Sequence, residues 1–258
     1  MNIDFHCHTK NSYDGFSTYD GLSKAAREKN IDVIFITEHD KINSKKNMFF
    51  KLNGITFIKG CEFTTDNGSH IIGLFIDQEF DGTHNSYSEI FKHIKKNNGL
   101  ISIPHPFKPD SGFFYVEKNN IYDLDLSDVD LIELYNGGYQ SSKDEIDNIK
   151  EIAKKNKMKL IGVSDAHKEN HLGYYVTNYD SNETDLIKMI KNEQGNILFD
   201  SSFKLAPRKI YSFQKNSFFK WLRNRIKYEK RMKIKRIFHF FKRKIFLKPL
   251  YTLKFPID

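Results

Sequence analysis

The chain has 258 residues, of which 29% are charged and 39% are hydrophobic, a composition typical of soluble globular proteins. This length suits a single barrel-like α/β domain. No run approaches the ~18 apolar residues of a membrane span, and the N-terminus lacks the pattern of a signal peptide. We therefore expect a cytoplasmic protein without a transmembrane helix.

The net charge of +8 is unevenly distributed. Residues 1–200 hold 23 Lys and Arg against 31 Asp and Glu, a net charge of −8, whereas residues 201–258 hold 18 against 2, a net charge of +16. This contrast predicts a domain over residues 1–207, a boundary near Pro207, and a basic tail over residues 208–258. A tail of this charge favours an anionic partner.

The first eight residues predict a strand that ends in two histidines. Ile3 and Phe5 alternate with Asp4 and His6, so His6 and His8 fall on one face at the C-terminal end of the strand. Two imidazoles at this spacing can bind one metal ion. A loop then carries Asp14 ahead of a predicted helix over residues 18–29, with Thr18 as its cap.

The remaining elements alternate between strands and helices. Strands are predicted over residues 32–37, 55–59, 69–74, 100–103, 130–135, 160–163, 174–177 and 196–199, with helices over 86–97 and 142–155. Such alternation argues for βα units around a parallel sheet. Most of these strands carry His, Glu or Asp at one end, and a β/α barrel keeps its active site at the C-terminal ends of its strands.

The strand-end groups form one candidate metal site: His6, His8, Asp14, His39, Glu62, His70, His105, Asp165 and His167. Because each divalent ion takes roughly three or four protein ligands, this set suffices for about three ions of Zn, Mn or Fe. Ions bridged by a carboxylate stabilise the charges that develop in phosphate ester hydrolysis. Cys7 and Cys61 stand beside candidate ligands, but we expect both to be reduced, buried thiols and not ligands.

In their order, these blocks resemble the polymerase and histidinol phosphatase (PHP) family of metal-dependent phosphoesterases. The matching blocks are His6-Cys7-His8, Asp14, Thr37-Glu38-His39-Asp40, Glu62, His70, Pro104-His105-Pro106 and Ser164-Asp165-Ala166-His167. The likeness spans residues 1 to about 170 and is weaker up to about residue 207. It implies a distorted (β/α)7 barrel of the PHP type with a trinuclear site. The resemblance covers nothing beyond residue 207, so the basic, helical C-terminal extension is expected from charge and residue spacing alone.

The resemblance also implies roles for the site residues. His6, His8 and Asp165 would hold one ion, Asp14, His39 and His167 a second, and His70 and His105 a third, with Glu62 bridging the first ion and the third. The nucleophile would be a hydroxide that bridges metals, so that Glu62, Asp165 and His167 act in catalysis as ligands. The family implies no side-chain nucleophile.

Asp14 bears on the substrate. Family members resembling histidinol phosphatase often have His at this position, whereas those resembling nucleotide phosphatases and 5′→3′ exonucleases often have Asp. The resemblance therefore favours a nucleotide or a nucleic-acid end as substrate, and the harder ligand favours Mn or Fe for the second ion. Histidinol phosphate or a sugar phosphate remains the alternative substrate. A metal-stabilised scaffold without turnover, tethered by its tail, is the alternative of another class.

Five further residues are expected to lie near the metal site without binding an ion. Lys108 and Lys168 follow His105 and His167 closely and are candidates to bind substrate phosphate, although either could equally be a solvated lysine. Glu38, Asp40 and Glu133 are interpreted as groups that lie beside the ligands. Glu38 or Asp40 could orient an imidazole through its free N–H. His84, His93 and His171 match no block and are interpreted as bystanders.

The tail mixes apolar and basic residues from 217 to 246 with a helical spacing. A basic amphipathic helix is typical of segments that bind an anionic membrane surface or nucleic acid. Phe and Ile accompany the charge, which slightly favours peripheral membrane attachment. The alternative is a helix packed against the acidic body.

Overall fold

A computed structural model describes residues 1–42, 47–78, 85–116 and 124–200. His84, the boundary near Pro207 and the predicted tail helix lie outside these ranges. Within them, no helix is long and apolar enough to cross a bilayer.

The described residues form ten strands and five helices. The strands are β1 (Asn2–Cys7), β2 (Val33–His39), β3 (Phe49–Leu52), β4 (Ile55–Thr64), β5 (His70–Leu74), β6 (Leu100–Ile103), β7 (Leu131–Asn136), β8 (Lys159–Val163), β9 (Tyr175–Asn178) and β10 (Asn196–Phe199). The helices are α1 (Tyr19–Glu28), α2 (Tyr87–Lys96), α3 (Phe113–Val116), α4 (Lys143–Asn156) and α5 (Leu186–Asn192).

All ten strands belong to one mixed sheet with the order β10-β9-β1-β2-β4-β5-β6-β7-β8, and β3 pairs with β4 at the side. Strands β1, β2 and β4 run parallel, as do β6, β7 and β8. Strand β5 is antiparallel to both β4 and β6, and β9 is antiparallel to both β1 and β10, so the prediction of a parallel sheet was wrong at these pairs. For β5 the reason is local, because the short turn at residues 65–69 cannot make the long crossover that a parallel pair needs.

The sheet curls until its first barrel strand meets its last, which makes a nearly closed barrel. The backbone N–H of Ser164, just after β8, donates to Oδ1 of Asp4 in β1 at 3.1 Å. The N–H of His8 donates to the carbonyl of Ala166 at 2.9 Å. The distorted (β/α) barrel expected from the sequence is thus confirmed. Its closure brings the first candidate ligands, His6 and His8, next to the last ones, Asp165 and His167.

Sequence patterns explain most of these elements. Strand β2 is buried along its whole length because the barrel interior covers one face and helices cover the other. Helix α1 begins where predicted, since Thr18 Oγ1 accepts a hydrogen bond from the N–H of Gly21 at 3.0 Å. Strand β3 was not predicted, although Asn53-Gly54, both with positive φ, forms the two-residue turn that joins it to β4.

Candidate metal centre

The nine candidate ligands converge at one end of the barrel. His6, His39 and Glu62 lie at or near the C-terminal ends of β1, β2 and β4, while His105, Asp165 and His167 follow β6 and β8. His70 is the first residue of β5 and still reaches the same end, because β5 runs antiparallel to its neighbours. Asp14 arrives on the loop between β1 and α1. The remaining member of the set, His8, follows β1.

Glu62 lies at the middle of this group, and its two carboxylate oxygens face different imidazoles. Oε1 is 2.7 Å from Nδ1 of His70 and 3.0 Å from Nε2 of His105. Oε2 is 3.2 Å from Nε2 of His6 and 3.3 Å from Nε2 of His8. A carboxylate in this position can bind two cations at once, one through each oxygen.

Three groups of side chains could each hold an ion. In the first, His6, His8 and Asp165 place one ligand atom each within 4.8 Å of the others. In the second, the same spacing relates His8, Asp14, His39 and His167, and Oδ2 of Asp14 lies 2.9 Å from Nε2 of His167. A third combination joins Glu62 and His70 to His39.

The donor set fits divalent cations better than it fits an internal hydrogen-bond network. Nε2 of His6 and Nε2 of His8 are 3.0 Å apart and approach the same two carboxylates. Oδ1 of Asp14 and Oδ2 of Asp165 are buried without a hydrogen-bond partner among the described residues. Buried, unpaired carboxylate oxygens are costly unless a cation compensates them.

The charges inside the site shift several pKa values. Burial raises the pKa of Glu62, but the surrounding His39, His70 and His6 outweigh it and hold the pKa well below its usual value. Burial lowers the pKa of His105 to about 3, and Lys108 adds to the effect. Glu62 is therefore ionised and His105 neutral near neutral pH, which are the forms that bind metals.

Three contacts fix the orientation of the imidazoles. Nδ1 of His6 lies 2.8 Å from Oε1 of Glu133, and Nδ1 of His167 lies 2.9 Å from the carbonyl of Asp165. Nδ1 of His8 lies 3.3 Å from Oγ of Ser12. Each contact occupies one ring nitrogen and directs Nε2 towards the centre, as such contacts do for metal-bound histidines.

Sequence reasoning did not single out Ser12 and assigned Glu133 no contact. The remaining oxygen of Glu133, Oε2, accepts hydrogen bonds from the N–H of His105 and from Nδ2 of Asn136, both at 2.7 Å. The position of Glu133 at the end of a predicted strand was the available signal. Ser12 lies in a polar loop with no distinguishing pattern.

Glu38 and Asp40 make different contacts from those considered for them. Glu38 accepts hydrogen bonds from the N–H and hydroxyl of Thr9 and so secures the loop after β1. Asp40 accepts from the N–H of Thr64 at 2.7 Å and secures the end of β4. In the described ranges, Glu133 makes the kind of contact with a site imidazole that was considered for Glu38 or Asp40.

The two candidate lysines differ in position. Nζ of Lys108 is 3.9 Å from Oδ2 of Asp165, so this ammonium group lies at the edge of the metal centre. Nζ of Lys168 lies over the ring of Phe16, 5.6 Å from its centroid. Of the two, Lys108 lies where its ammonium group can meet a substrate held at the site.

Two of the nine described non-glycine residues with positive φ are candidate ligands. His105 and Asp165 have positive φ values of 30° and 49°, a region that costs a residue with a side chain about 1–3 kcal/mol. A Cβ at Gly138 would lie 2.2 Å from Oδ2 of Asp165, so any larger residue here would require this carboxylate to shift. Such strain persists where the surrounding structure holds it, as at an active site.

Comparison with known proteins agrees with this geometry. A sequence profile of the PHP domain matches residues 4–160. No curated protein sequence matches the chain.

Among solved structures, the lesion-specific endonuclease Q of Pyrococcus furiosus is 19% identical with a TM-score of 0.56, over 76% of this chain and 57% of its own. Endonuclease Q bound to a 27-mer duplex with an abasic lesion at the active site is 17% identical with a TM-score of 0.56, over 74% and 55%. A two-domain protein of Bacteroides vulgatus, described as containing a PHP-like metal-dependent phosphoesterase, is 18% identical with a TM-score of 0.53, over 77% and 64%. The chain thus spans less than two thirds of each of these proteins, and at such identities they show a shared fold.

The PHP profile covers more than half of the sequence, and the residues it covers include seven of the nine groups that converge at the end of the barrel. The chain therefore belongs to the PHP domain family of metal-dependent phosphoesterases.

Proposed function

We propose that the chain hydrolyses phosphate esters of nucleotides or of nucleic-acid ends, with two to three divalent ions of Mn, Fe or Zn. The observation that carries this proposal is the position of Glu62. Each of its oxygens faces a different set of imidazoles at 2.7–3.3 Å. A carboxylate shared between ions in this way supports a multinuclear site.

We keep the assignment of ligands that the family resemblance implies, and His39 also lies within reach of Glu62 and His70. His6, His8 and Asp165 would hold one ion, Asp14, His39 and His167 a second, and His70 and His105 a third, with Glu62 between the first and the third. His8 lies within reach of the first two groups. The ring contacts made by Glu133, Ser12 and the carbonyl of Asp165 keep the histidines in the required orientation.

When bound, the ions would lower the pKa of a water and neutralise charge on the phosphate. The side chains of the protein would balance the charge of the ions and bind the phosphate. Asp14, Glu62 and Asp165 stay ionised across the neutral range and supply the negative charge that balances the cations. Lys108, at the edge of the site, would meet a non-bridging phosphate oxygen as a point charge. Lys168 would serve a substrate that extends towards Phe16.

A nucleotide or nucleic-acid substrate is favoured over its alternatives by Asp14 and by the neighbouring folds. Endonuclease Q carries duplex DNA with an abasic lesion at its active site, which supports a nucleic-acid substrate for this related fold. Histidinol phosphate and sugar phosphates remain the second candidates. A scaffold without turnover would have no use for nine converging ligand-type groups, enough for three adjacent ions.

The tail, residues 208–258, is proposed as a separate anion-binding segment. It holds a large share of the positive charge of a chain whose first 200 residues carry a net charge of −8. Its partner would be an anionic membrane surface, which would place the protein peripherally at a membrane, or nucleic acid.

The test begins with metal analysis of the purified protein, followed by activity on an aryl phosphate with and without chelator. The proposal expects two to three transition metals per chain and loss of activity on chelation. A screen of nucleotides, bisphosphates, sugar phosphates and short RNA or DNA then identifies the substrate class. Trace metal with activity that chelator does not affect would refute a metal-dependent function.

A further inference from the structure

A cleft lies beside the metal centre and is not used by the proposed reaction. It is lined by Tyr135, Tyr139 and Tyr175 together with Gln140 and Ser141, and we call it the tyrosine cleft. Its volume is about 70 Å³. That is room for about five water molecules, or for one flat heterocyclic ring lying partly in solvent.

Hydrogen bonds place the tyrosine cleft next to the site. Oη of Tyr139 donates towards the carbonyl of Phe107 at 3.4 Å and towards Glu145 at 2.9 Å. Phe107 stands in the chain between the candidate ligand His105 and Lys108, whose ammonium group approaches Asp165. One wall of the cleft is therefore attached to the loop that would hold a substrate phosphate.

The other connection runs through the glycine that precedes Tyr139. Gly138 lies so close to Asp165 that a Cβ on it would be 2.2 Å from the carboxylate oxygen Oδ2. The N–H of Gly138 donates to Oδ1 of Asn136 at 2.7 Å, which fixes this short segment. A substrate with its phosphate at Asp165 thus has to extend only past Gly138 to reach the ring of Tyr139.

The side chains of the cleft offer a ring face and polar edges. The rings of Tyr135 and Tyr175 stack on each other, with centroids 5.3 Å apart. Tyr139 is half-buried, and its ring contacts no other aromatic ring in the described parts of the chain. The side chains of Gln140 and Ser141 likewise make no hydrogen bond with any described residue. A half-buried ring that stacks on no other described ring, beside an amide and a hydroxyl, suits a planar group with hydrogen-bonding edges.

Resting on the proposed function, we infer that the tyrosine cleft binds the nucleobase of a nucleotide whose phosphate lies at the metal centre. The base stacks on Tyr139, and Gln140 and Ser141 contact its edge. The metal centre alone would accept any accessible phosphate, because its ligands recognise only the phosphate and the ions. The cleft would make a nucleotide a better substrate than a sugar phosphate.

The first experiment compares KM for nucleoside 5′-monophosphates with KM for ribose 5-phosphate, which has no base. Tyr139→Leu removes the ring, and Tyr139→Phe keeps the ring and loses only the hydroxyl. Both variants lose the contact of the hydroxyl with the carbonyl of Phe107, so they are compared with each other. We expect KM for the nucleotides to be about tenfold higher in Tyr139→Leu than in Tyr139→Phe, and KM for ribose 5-phosphate to be equal in the two, since base stacking on an aromatic ring contributes on this scale. Tyr139→Phe should stay within about twofold of the wild type for both. An equal change for both substrates, or none, would overturn the inference.

A second experiment uses calorimetry of nucleoside binding to the metal-loaded protein and a variant that leaves Tyr139 in place. Ser141→Phe fills the cleft, so it should abolish binding of nucleosides that the wild type binds. Unchanged binding in this variant argues against the cleft. If the wild type binds nucleotides but hydrolyses no phosphate ester, the proposed function fails while the cleft stands. If it hydrolyses ribose 5-phosphate and nucleotides with equal KM, the function stands and the cleft fails.

Discussion

Glu133 lies 2.8 Å from Nδ1 of His6, although the two residues are 127 positions apart in the chain. Both side chains are fully buried. Because Glu133 occupies Nδ1, the other ring nitrogen of His6, Nε2, is directed towards Glu62 and Asp165, where it could bind an ion held between them. Glu133 also accepts the N–H of His105, so one carboxylate positions two candidate ligands on different strands.

Replacing Glu133 should therefore weaken metal binding without removing a ligand. We expect Glu133→Ala to lower metal affinity by about 10–100-fold, the usual effect of losing a group that orients a ligand. Competition with a chromophoric chelator measures this affinity. The exposed Glu151 on α4 provides a matched control, and Glu151→Ala should bind metal as the wild type does. Equal affinities in the two variants would show that Glu133 has no orienting role.

Glu62 should be among the most sensitive residues of the site because it faces two sets of imidazoles at once. We expect Glu62→Gln to lower kcat/KM by about 10²-fold or more, the scale on which loss of an electrostatic contact affects an active site. His171 matches no block and lies outside the three candidate ligand groups, so His171→Gln should change kcat/KM little. Steady-state kinetics on one aryl phosphate compares them. If both substitutions have the same effect, the division into ligands and bystanders is wrong.

The close approach of Gly138 to Asp165 predicts a steric effect on the site. In Gly138→Ala the new Cβ would lie 2.2 Å from Oδ2 of Asp165, so the carboxylate must move. We expect weaker metal binding and lower activity in a protein that still folds. Circular dichroism measures whether the variant folds, and metal titration measures its affinity for metal.

Gly54→Ala serves as the comparison for Gly138→Ala. A Cβ at Gly54 meets no atom within 4 Å, but its φ of +86° is unfavourable for alanine. This variant should lose about 1 kcal/mol of stability and keep its metal affinity. If Gly138→Ala also keeps wild-type metal affinity, Asp165 can adapt and the approach is unimportant.

The fold could be predicted where a strand is a continuous apolar run. The predicted ranges 100–103 and 196–199 agree with β6 and β10 because both are short, mainly apolar segments that follow a glycine and end before Pro104 or Asp200. Strand β3 was missed because its four residues alternate between exposed and half-buried, which resembles a surface loop. The direction of β5 depends on the turn at 65–69, and strand patterns alone do not encode direction.

The ligands of the site could be predicted from the sequence, but the contacts that surround them could not. The nine groups stand in recognisable blocks, so their convergence follows once the barrel is assumed. The contact of Ser12 with His8 and the passage of Gly138 beside Asp165 depend on how loops fold back, which no local pattern specifies. The antiparallel course of β5 also explains why His70 stands at the start of its strand, when most other ligands stand at or after strand ends.

The tail supplies the last prediction. Residues 208–258 contribute none of the nine candidate ligands, so deleting them should leave turnover of a small soluble substrate nearly unchanged. The deletion should remove salt-sensitive binding to anionic vesicles or to oligonucleotides. Lys and Arg near such surfaces contribute about 1 kcal/mol each, and salt screens them over about 8–10 Å.

Vesicle and oligonucleotide pull-downs at two salt concentrations measure this binding and separate the two partners. The matched control keeps the full length and replaces the tail's Lys and Arg residues with Gln, which removes the charge but not the chain. If charge drives binding, this variant should behave as the deletion does. A truncated protein that precipitates or loses its metals would instead show that the tail covers the acidic barrel.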